Sequence, residues 1–265
     1  MRHAFFASPR PRVFAHRGGS GLAPENTMAA FANGLALGAD GLELDVHLSR
    51  DGEVVVHHDS RLDRTTDATG PVAQRTAAEL AHVDAGYRFA RDGAHLFRGQ
   101  GHGVPRLADV LARFDVPIII ELKVDTAVMA AAAIEVVRRA GADRRVCFGS
   151  FGGRVLREVR RLAPDLATSA SRDEVRLALY RTWARWPVSR VAYQGYQIPE
   201  HAGTTRVVSA RFVGYARRAG LGVQVWTVDA PDTAVRLISW GVDALISDRP
   251  DLVVPAAAAA TPAGE

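Results

Sequence analysis

The stretch LGADGLELD, residues 37–45, passes from the end of a helix through a glycine into a short apolar strand. The same junction recurs along the chain as AGADRRVCF (140–148), AGLGVQVWT (219–227) and WGVDALISD (240–248). Glycine commonly ends helices because it adopts the left-handed conformation there at little cost. A chain in which a helix is repeatedly followed by a glycine and then a strand is predicted to form a parallel sheet with helices packed on it.

Short β-branched runs, separated by helical segments, extend this rhythm over most of the chain. We predict strands at residues 12–16, 41–46, 116–122, 145–150, 166–170, 190–194, 222–228 and 244–247. The chain has 265 residues, which suit one large domain or two small ones, and 48% hydrophobic content; α/β barrels often have this length as a single domain. Eight strands at this spacing predict an α/β fold, a (β/α)8 TIM barrel.

Four segments lie outside the regular barrel pattern. The turn SRDG predicts a hairpin that adds a short strand at residues 54–58 beside the second strand. From about residue 60 to 106 the chain is rich in Gly, Arg and His with little periodicity, which predicts an insertion after the second strand that covers the barrel mouth. The domain plan is an N-terminal extension at 1–11, the barrel at 12–252 and a disordered tail at 253–265.

Composition narrows the functional classes. No apolar run approaches the ~20 residues that span a bilayer, and the start MRHAFFASPRPR does not resemble a secretory signal. Cys147 is the only cysteine, which excludes an intrachain disulfide and a Cys-based metal site. We therefore expect a cytoplasmic protein. The net charge is +4, yet arginines alternate with acids and no nucleic-acid motif occurs, so we expect no nucleic-acid partner and no stable membrane insertion.

A pair of carboxylates lies on the second predicted strand. Glu43 and Asp45 are two residues apart, so on a strand they share one face. An unpaired buried charge costs several kcal/mol, so apolar strands seldom carry such acids without a purpose. Glu121 ends the next barrel strand in the same way. Three carboxylates at strand ends predict a site for a hard divalent cation, Mg²⁺ or Ca²⁺; the alternative is pairing with arginines.

Two histidines and two cations flank these acids in the sequence. His16 ends the first strand and His58 ends the hairpin strand. Histidine titrates near neutral pH, so the pair can supply a general acid and a general base, although a single histidine at a strand end is more often structural. Arg17 and Lys123, the only lysine beside 32 arginines, can hold an anionic group. Together these groups suit a phosphodiester substrate.

Six segments resemble one known family. They are HRGGSGLAPENT (16–27), ELDV (43–46), DGEVVVHHD (51–59), IIIELK (118–123), VWTVD (225–229) and ALISDRP (244–250). In order and spacing they resemble the glycerophosphodiester phosphodiesterase family, especially its bacterial members, from residue 13 to about 250. The resemblance implies a TIM barrel with an insertion after the second strand. It also implies metal ligands at Glu43, Asp45 and Glu121, catalytic histidines at His16 and His58, and phosphate contacts at Arg17 and Lys123.

The resemblance implies a reaction as well. One histidine would deprotonate the C2 hydroxyl of a glycerol phosphodiester, and this oxygen would attack phosphorus. The other histidine would protonate the leaving alcohol, and hydrolysis of the cyclic phosphate would give glycerol 3-phosphate. As in similar proteins, Gln197, placed after the sixth strand, and Trp226, at the end of the seventh, would contact the substrate; ordinary polar and core roles are the alternatives. Asn26 is expected to cap the first helix.

Two other functions stay open at this point. A relative on the same scaffold could cleave lysophospholipids, but this needs an apolar channel or a membrane-facing patch, and the insertion has no long apolar stretch. A non-catalytic ligand-binding barrel would lack one of the five candidate catalytic or metal-binding residues, and all five are present. The expected partner is therefore a small-molecule glycerophosphodiester.

Overall fold

The computed structural model describes residues 3–8, 10–187 and 190–260. The strands in chain order are β1 (Arg12–His16), β2 (Gly41–Leu48), β3 (Val54–Val56), β4 (Ile118–Leu122), β5 (Val146–Gly149), β6 (Ala167–Thr168), β7 (Gly195–Pro199), β8 (His201–Ala202), β9 (Thr205–Arg206), β10 (Gly222–Trp226) and β11 (Ala244–Ser247). The helices are α1 (Met28–Ala36), α2 (Ala77–Leu80), α3 (Leu107–Arg113), α4 (Ala127–Arg139), α5 (Gly153–Leu162), α6 (Arg172–Ala184), α7 (Ala210–Arg218), α8 (Pro231–Ser239) and α9 (Pro250–Ala260). None of these helices is long and apolar enough to cross a bilayer.

Eight of the strands are parallel and form a barrel. Their order around the sheet is β6, β5, β4, β2, β1, β11, β10 and β7. A parallel bridge between Ser169 and Gly195 joins the two ends of this sheet. Helices connect the consecutive barrel strands and pack outside them. The predicted (β/α)8 TIM barrel is therefore confirmed.

The hairpin after the second strand is also confirmed. β3 pairs antiparallel with β2, with Val46 opposite Val56. The segment that follows is more ordered than its composition suggests, because it builds a small apolar core against β3 around Leu62, Val72 and Leu80. This core anchors the segment to the hairpin, and the chain then enters α3.

Two N-terminal aromatic side chains fill the barrel interior below the site. Phe5 and Phe6 are each 1% exposed and belong to an apolar cluster with Phe14 and other barrel-interior residues. The ring centroids of Phe5 and Phe14 are 6.0 Å apart. A Cβ at Gly195 would lie 2.5 Å from Phe6 Cε1, so a larger residue there would displace the ring.

Two predictions about chain segments are wrong. The sixth barrel strand is β7, at Gly195–Pro199 rather than 190–194, because its pairing with β10 begins at Gly195, which lies opposite Gly222. Gln197 consequently lies inside this strand and not after it. The predicted disordered tail is helical as far as Ala260, because Val253 and Ala257 pack on the barrel's outer core; residues 261–265 lie outside the described range.

Candidate active site

The candidate residues lie at the C-terminal ends of the barrel strands, where TIM barrels place their chemistry. Strand register brings them together, because His16 is opposite Glu43 and Asp45 is opposite Glu121. A cavity of about 760 Å³ opens over this end of the barrel. Its lining includes His16, Arg17, Glu43, His58, Glu121, Lys123, Gln197 and Trp226.

The three acids form a compact cluster. One oxygen from each of Glu43, Asp45 and Glu121 lies within 4.8 Å of the others. Burial, together with the charge of Asp45, raises the pKa of Glu43 to about 8, and the same two causes raise the pKa of Glu121. Carboxylates held this close repel one another, and a set of oxygen donors fits a hard divalent cation. The structure thus brings together the three residues predicted as metal ligands.

The two predicted phosphate-contacting cations adjoin this cluster. Lys123 Nζ lies 3.3 Å from Asp45 Oδ1 and 3.0 Å from Glu121 Oε1. Arg17 Nε lies 3.2 Å from Asp45 Oδ2. Burial alone would raise the pKa of Asp45, but Lys123 and Arg17 outweigh it and lower that pKa. Since both cations line the cavity, an anion above the acids would meet both.

Asn26 supports the acid cluster and does not cap the first helix. Thr27 is the N-cap of α1, where its hydroxyl accepts a hydrogen bond from the Ala30 N–H at 3.2 Å. Asn26 Nδ2 donates to Asp45 Oδ2 at 2.9 Å, and Asn26 Oδ1 accepts from the Asp45 N–H at 3.3 Å. The Asn26 backbone has φ of 59°, a conformation that asparagine tolerates better than most residues. The expected capping role is therefore wrong, because this backbone turns the amide toward the site.

His16 is held from behind by a carboxylate that the sequence reasoning missed. His16 Nδ1 lies 2.7 Å from Asp248 Oδ1, and Ser20 donates its hydroxyl to the same oxygen. His16 Nε2 faces the acids, 3.7 Å from Glu43 Oε2. Burial alone would lower the pKa of His16, but Glu43 and Asp248 outweigh it and raise that pKa to about 9. The segment ALISDRP contains Asp248, so the available signal was an acid directly after the last strand.

His58 has an equivalent partner in the residue that follows it. β3 ends at Val56, so His58 lies just past the strand and not within it. His58 Nδ1 is 2.5 Å from Asp59 Oδ1. Arg64, from the insertion, donates to Asp59 Oδ2 at 2.6 Å. Asp59 is thus fixed on both sides, and each candidate catalytic histidine has a carboxylate at Nδ1.

Arg64 also connects the insertion to Arg17. Its two terminal nitrogens donate to the two oxygens of Glu25 at 2.7 Å each, and Arg17 Nη1 donates to Glu25 Oε1 at 3.1 Å. The Arg64 and Arg17 cations outweigh burial and lower the pKa of Glu25. A charged chain therefore runs from Asp59 through Arg64 and Glu25 to Arg17, with the site at both ends.

Gln197 and Trp226 lie on the cavity wall formed by β7 and β10. Gln197 Nε2 donates to Gln224 Oε1 at 2.9 Å across the two strands. The Trp226 ring meets Phe151 edge to face, with centroids 5.8 Å apart. Both predicted substrate contacts thus line the same cavity as the acids and histidines.

A TIM barrel with acids, carboxylate-backed histidines and cations at its mouth belongs to the class of barrel enzymes that act on anionic substrates. Residues 16–252 match the profile of the glycerophosphoryl diester phosphodiesterase family. A glycerophosphodiester phosphodiesterase from Caldanaerobacter subterraneus subsp. tengcongensis is 31% identical over 248 residues, which cover 91% of this chain and 96% of the relative. The chain belongs to the glycerophosphoryl diester phosphodiesterase family and is an enzyme.

Solved structures agree with this assignment. A glycerophosphoryl diester phosphodiesterase domain from Mycobacterium tuberculosis superposes with a TM-score of 0.81 at 25% identity, over 93% of this chain and 98% of that one. A phosphodiesterase from Oleispira antarctica, solved in complex with the product sn-glycerol-3-phosphate, gives a TM-score of 0.73 at 28% identity, over 93% and 96% of the chains.

Proposed function

We propose that this enzyme hydrolyses glycerophosphodiesters to glycerol 3-phosphate and an alcohol, with a divalent cation and with His16 and His58 as proton-transfer groups. One observation carries the proposal: two carboxylate-backed histidines flank the acid cluster within a single cavity. The product bound to the Oleispira antarctica neighbour supports the assignment of glycerol 3-phosphate.

The contacts of the histidines support a choice of reactive atoms. With the Asp248 and Asp59 carboxylates as acceptors at the two Nδ1 atoms, each Nδ1 would carry a proton and each Nε2 would exchange protons with the substrate. One Nε2 takes the proton of the glycerol C2 hydroxyl while that oxygen bonds to phosphorus. The bond from phosphorus to the alcohol oxygen breaks, and the other histidine protonates this oxygen. Water then opens the cyclic phosphate with the two proton-transfer roles exchanged.

The remaining residues hold the reacting groups. Glu43, Asp45 and Glu121 would bind Mg²⁺ or Ca²⁺, which would stabilise charge on the phosphoryl oxygens and lower the pKa of the C2 hydroxyl. Arg17 and Lys123 would contact the phosphoryl oxygens from beside the acids. Gln197 and Trp226 would contact the glycerol or the leaving alcohol. The cytoplasmic location of the enzyme stays a prediction.

The test is an activity panel with several glycerophosphodiesters, such as the choline, ethanolamine and glycerol diesters, with glycerol 3-phosphate release as the readout. We expect release from at least one diester with Mg²⁺ or Ca²⁺ present and none after EDTA treatment. Release of the alcohol phosphate in place of glycerol 3-phosphate would disprove the proposed bond cleavage. Full activity of EDTA-treated enzyme would disprove the cation's role.

A second candidate, cleavage of lysophospholipids, gains support from the cavity wall. The cavity lining includes apolar side chains from α6 and β7, among them Val175, Leu179 and Ile198. This lining comes from the opposite half of the barrel to the insertion, where an apolar stretch was sought in the sequence. Turnover of lysophosphatidylcholine at a higher kcat/KM than glycerophosphocholine would favour this candidate, and the reverse order would favour the first.

A further inference from the structure

Helix α6 exposes a row of large apolar side chains to solvent. Leu177, Tyr180 and Trp183 are 49%, 63% and 52% exposed, and Trp186, just past the helix end, is 66% exposed. The Tyr180 and Trp183 rings meet edge to face with centroids 5.6 Å apart. We refer to these four residues as the α6 ridge.

The ridge is not a consequence of how α6 packs on the barrel. Ala178, Leu179 and Thr182 form the buried side of the helix. The outer side of a surface helix is normally polar, because apolar groups there gain nothing from folding. Tyr180 and Trp183, which are in contact, form the centre of an exposed apolar patch, and such a patch on a protein surface usually marks an interaction site. We therefore expect the α6 ridge to bind a partner that can bury aromatic side chains.

Unpaired arginines adjoin the ridge at the C-terminal end of α6. A surface cavity of about 590 Å³ lies between this end and α7, and its lining includes Trp186 together with Arg185, Arg211 and Arg218. All three arginines are exposed, and among the described residues none of them forms a salt bridge with a carboxylate. Guanidinium groups bind phosphate oxygens in two-point contacts. This arginine cavity thus has the chemistry of a site for phosphate groups.

The middle of the ridge adjoins the mouth of the candidate active site. Tyr180 and Trp183 line the active-site cavity, as do Arg172 and Arg176 on the first turns of α6. Arg172 lies over the Phe151 ring, 4.9 Å from its centroid. A surface that covered the α6 ridge would therefore lie beside the entrance to the cavity.

We propose that the α6 ridge and the arginine cavity dock this enzyme reversibly on anionic phospholipid surfaces. Tryptophan and tyrosine favour the interface between lipid headgroups and acyl chains, because one end of each ring is apolar and the other polar. The arginines beside the ridge complement lipid phosphates. A nucleic acid is a poorer fit, because the apolar Leu177 offers it nothing and the three arginines form a pocket and not a track.

The test is sedimentation of the 265-residue chain with large unilamellar vesicles of phosphatidylcholine alone or with 30% phosphatidylglycerol. We expect binding to the anionic vesicles, weaker binding to the neutral ones, and a blue shift of tryptophan fluorescence on binding, since the ridge holds two of the four tryptophans. The triple variant R185Q/R211Q/R218Q should weaken anionic binding by roughly 10- to 100-fold, as expected for basic residues near a charged bilayer. W186A should weaken binding to both kinds of vesicle.

Matched controls separate the ridge from general charge and hydrophobicity. R113Q/R139Q/R144Q removes the same charge from exposed positions on α3, α4 and the loop after α4, and V128A removes an exposed apolar side chain from α4. Both should bind vesicles like the wild type. No binding to anionic vesicles, or equal losses in the control variants, would overturn the proposal. So would tighter binding to single-stranded DNA than to vesicles, or self-association that W186A abolishes without any vesicle binding.

The consequence for catalysis rests on the proposed function, whereas vesicle binding does not. Trp186 and the three cavity arginines lie outside the active-site lining, so their variants should keep wild-type turnover of a water-soluble diester. Turnover of a lysophospholipid presented in anionic vesicles should fall with binding. Loss of vesicle binding with no change in this turnover would show that docking does not deliver substrate.

Discussion

Asp248 Oδ1 lies 2.7 Å from His16 Nδ1, although the two residues are 232 positions apart in the sequence. They meet because β1 pairs in parallel with β11, which closes the barrel between its first and last strands. The seam of the barrel is therefore also the place where one of the two candidate catalytic histidines is oriented.

Asp248→Asn should lower kcat by about 100-fold, because the amide no longer fixes the proton on His16 Nδ1 or stabilises the protonated ring. The carboxylate raises the pKa of His16, so its loss should move the corresponding limb of the pH–rate profile to lower pH. Stopped assays across pH 5 to 10 measure both effects. Asp251→Asn, which removes an acid paired with Arg249 outside the site, is the control. An unchanged profile in Asp248→Asn would mean that Asp248 has no part in orienting His16.

His16→Ala and His58→Ala should each reduce turnover by about 10²–10⁴-fold, the usual scale for a positioned proton-transfer group. Both variants should fold, as judged by circular dichroism, since residues at the mouth of a barrel contribute less to stability than its core. His82→Ala, an exposed histidine in the insertion, should leave turnover unchanged. Near-normal turnover in either site variant would give that histidine a structural role.

Lys123→Arg should lower kcat/KM at least ~10-fold, which corresponds to about 1.4 kcal/mol of transition-state stabilisation. The ammonium lies between Asp45 and Glu121, within 3.3 Å and 3.0 Å of their oxygens. A planar guanidinium is too broad for that position beside the acids. Arg139→Lys, on the surface of α4, is the matched control and should leave kcat/KM unchanged. Wild-type kinetics in Lys123→Arg would show that Lys123 does not contact the substrate phosphate.

Addition of Mg²⁺ or Ca²⁺ to the EDTA-treated protein should raise its melting temperature. Close carboxylates destabilise the folded state until a cation neutralises them, and a ligand at 100 times its Kd adds about 2.7 kcal/mol. For a chain of this size that is a shift of roughly 5–10 °C. Glu121→Gln should shrink the shift, and added NaCl should not reproduce it. The same shift in Glu121→Gln as in the wild type would place cation binding elsewhere.

Arg64→Gln should flatten the loss of stability in acid. Arg64 lowers the pKa of Glu25 and of Asp59 in the folded state. A lowered folded pKa gives stability that is present above the unfolded pKa, about 4 to 4.5, and is lost as pH falls below it. Urea unfolding at pH 7 and pH 3.5 should show a smaller difference between the two pH values for Arg64→Gln than for the wild type. An equal difference in both proteins would show that this network does not contribute to acid sensitivity.

The local sequence was sufficient for the barrel and for most of the candidate site. Periodicity and glycine stops predict the parallel strands, and strand parity predicts that Glu43 and Asp45 share a face. Each of these inferences uses residues that are neighbours in the chain. The family resemblance then related His16, Glu121 and Lys123 to one another across the chain, and the structure brings them to one cavity.

The errors arose where contacts between distant segments decide the structure. The start of β7 is set by its pairing with β10, and the turn at Asn26 directs its amide to Asp45. Neither could be predicted from neighbouring residues. Asp248 was overlooked as a partner for the same reason, since nothing near it in the chain identifies His16. The α6 ridge escaped notice because aromatic residues in a helical pattern normally indicate core.

Phe5 and Phe6 leave the barrel open at one end only. Their side chains fill the barrel interior beneath the site, so any ligand of the site has to enter and leave through one opening, at the C-terminal ends of the strands. Whatever lies over that opening therefore controls arrival and departure alike.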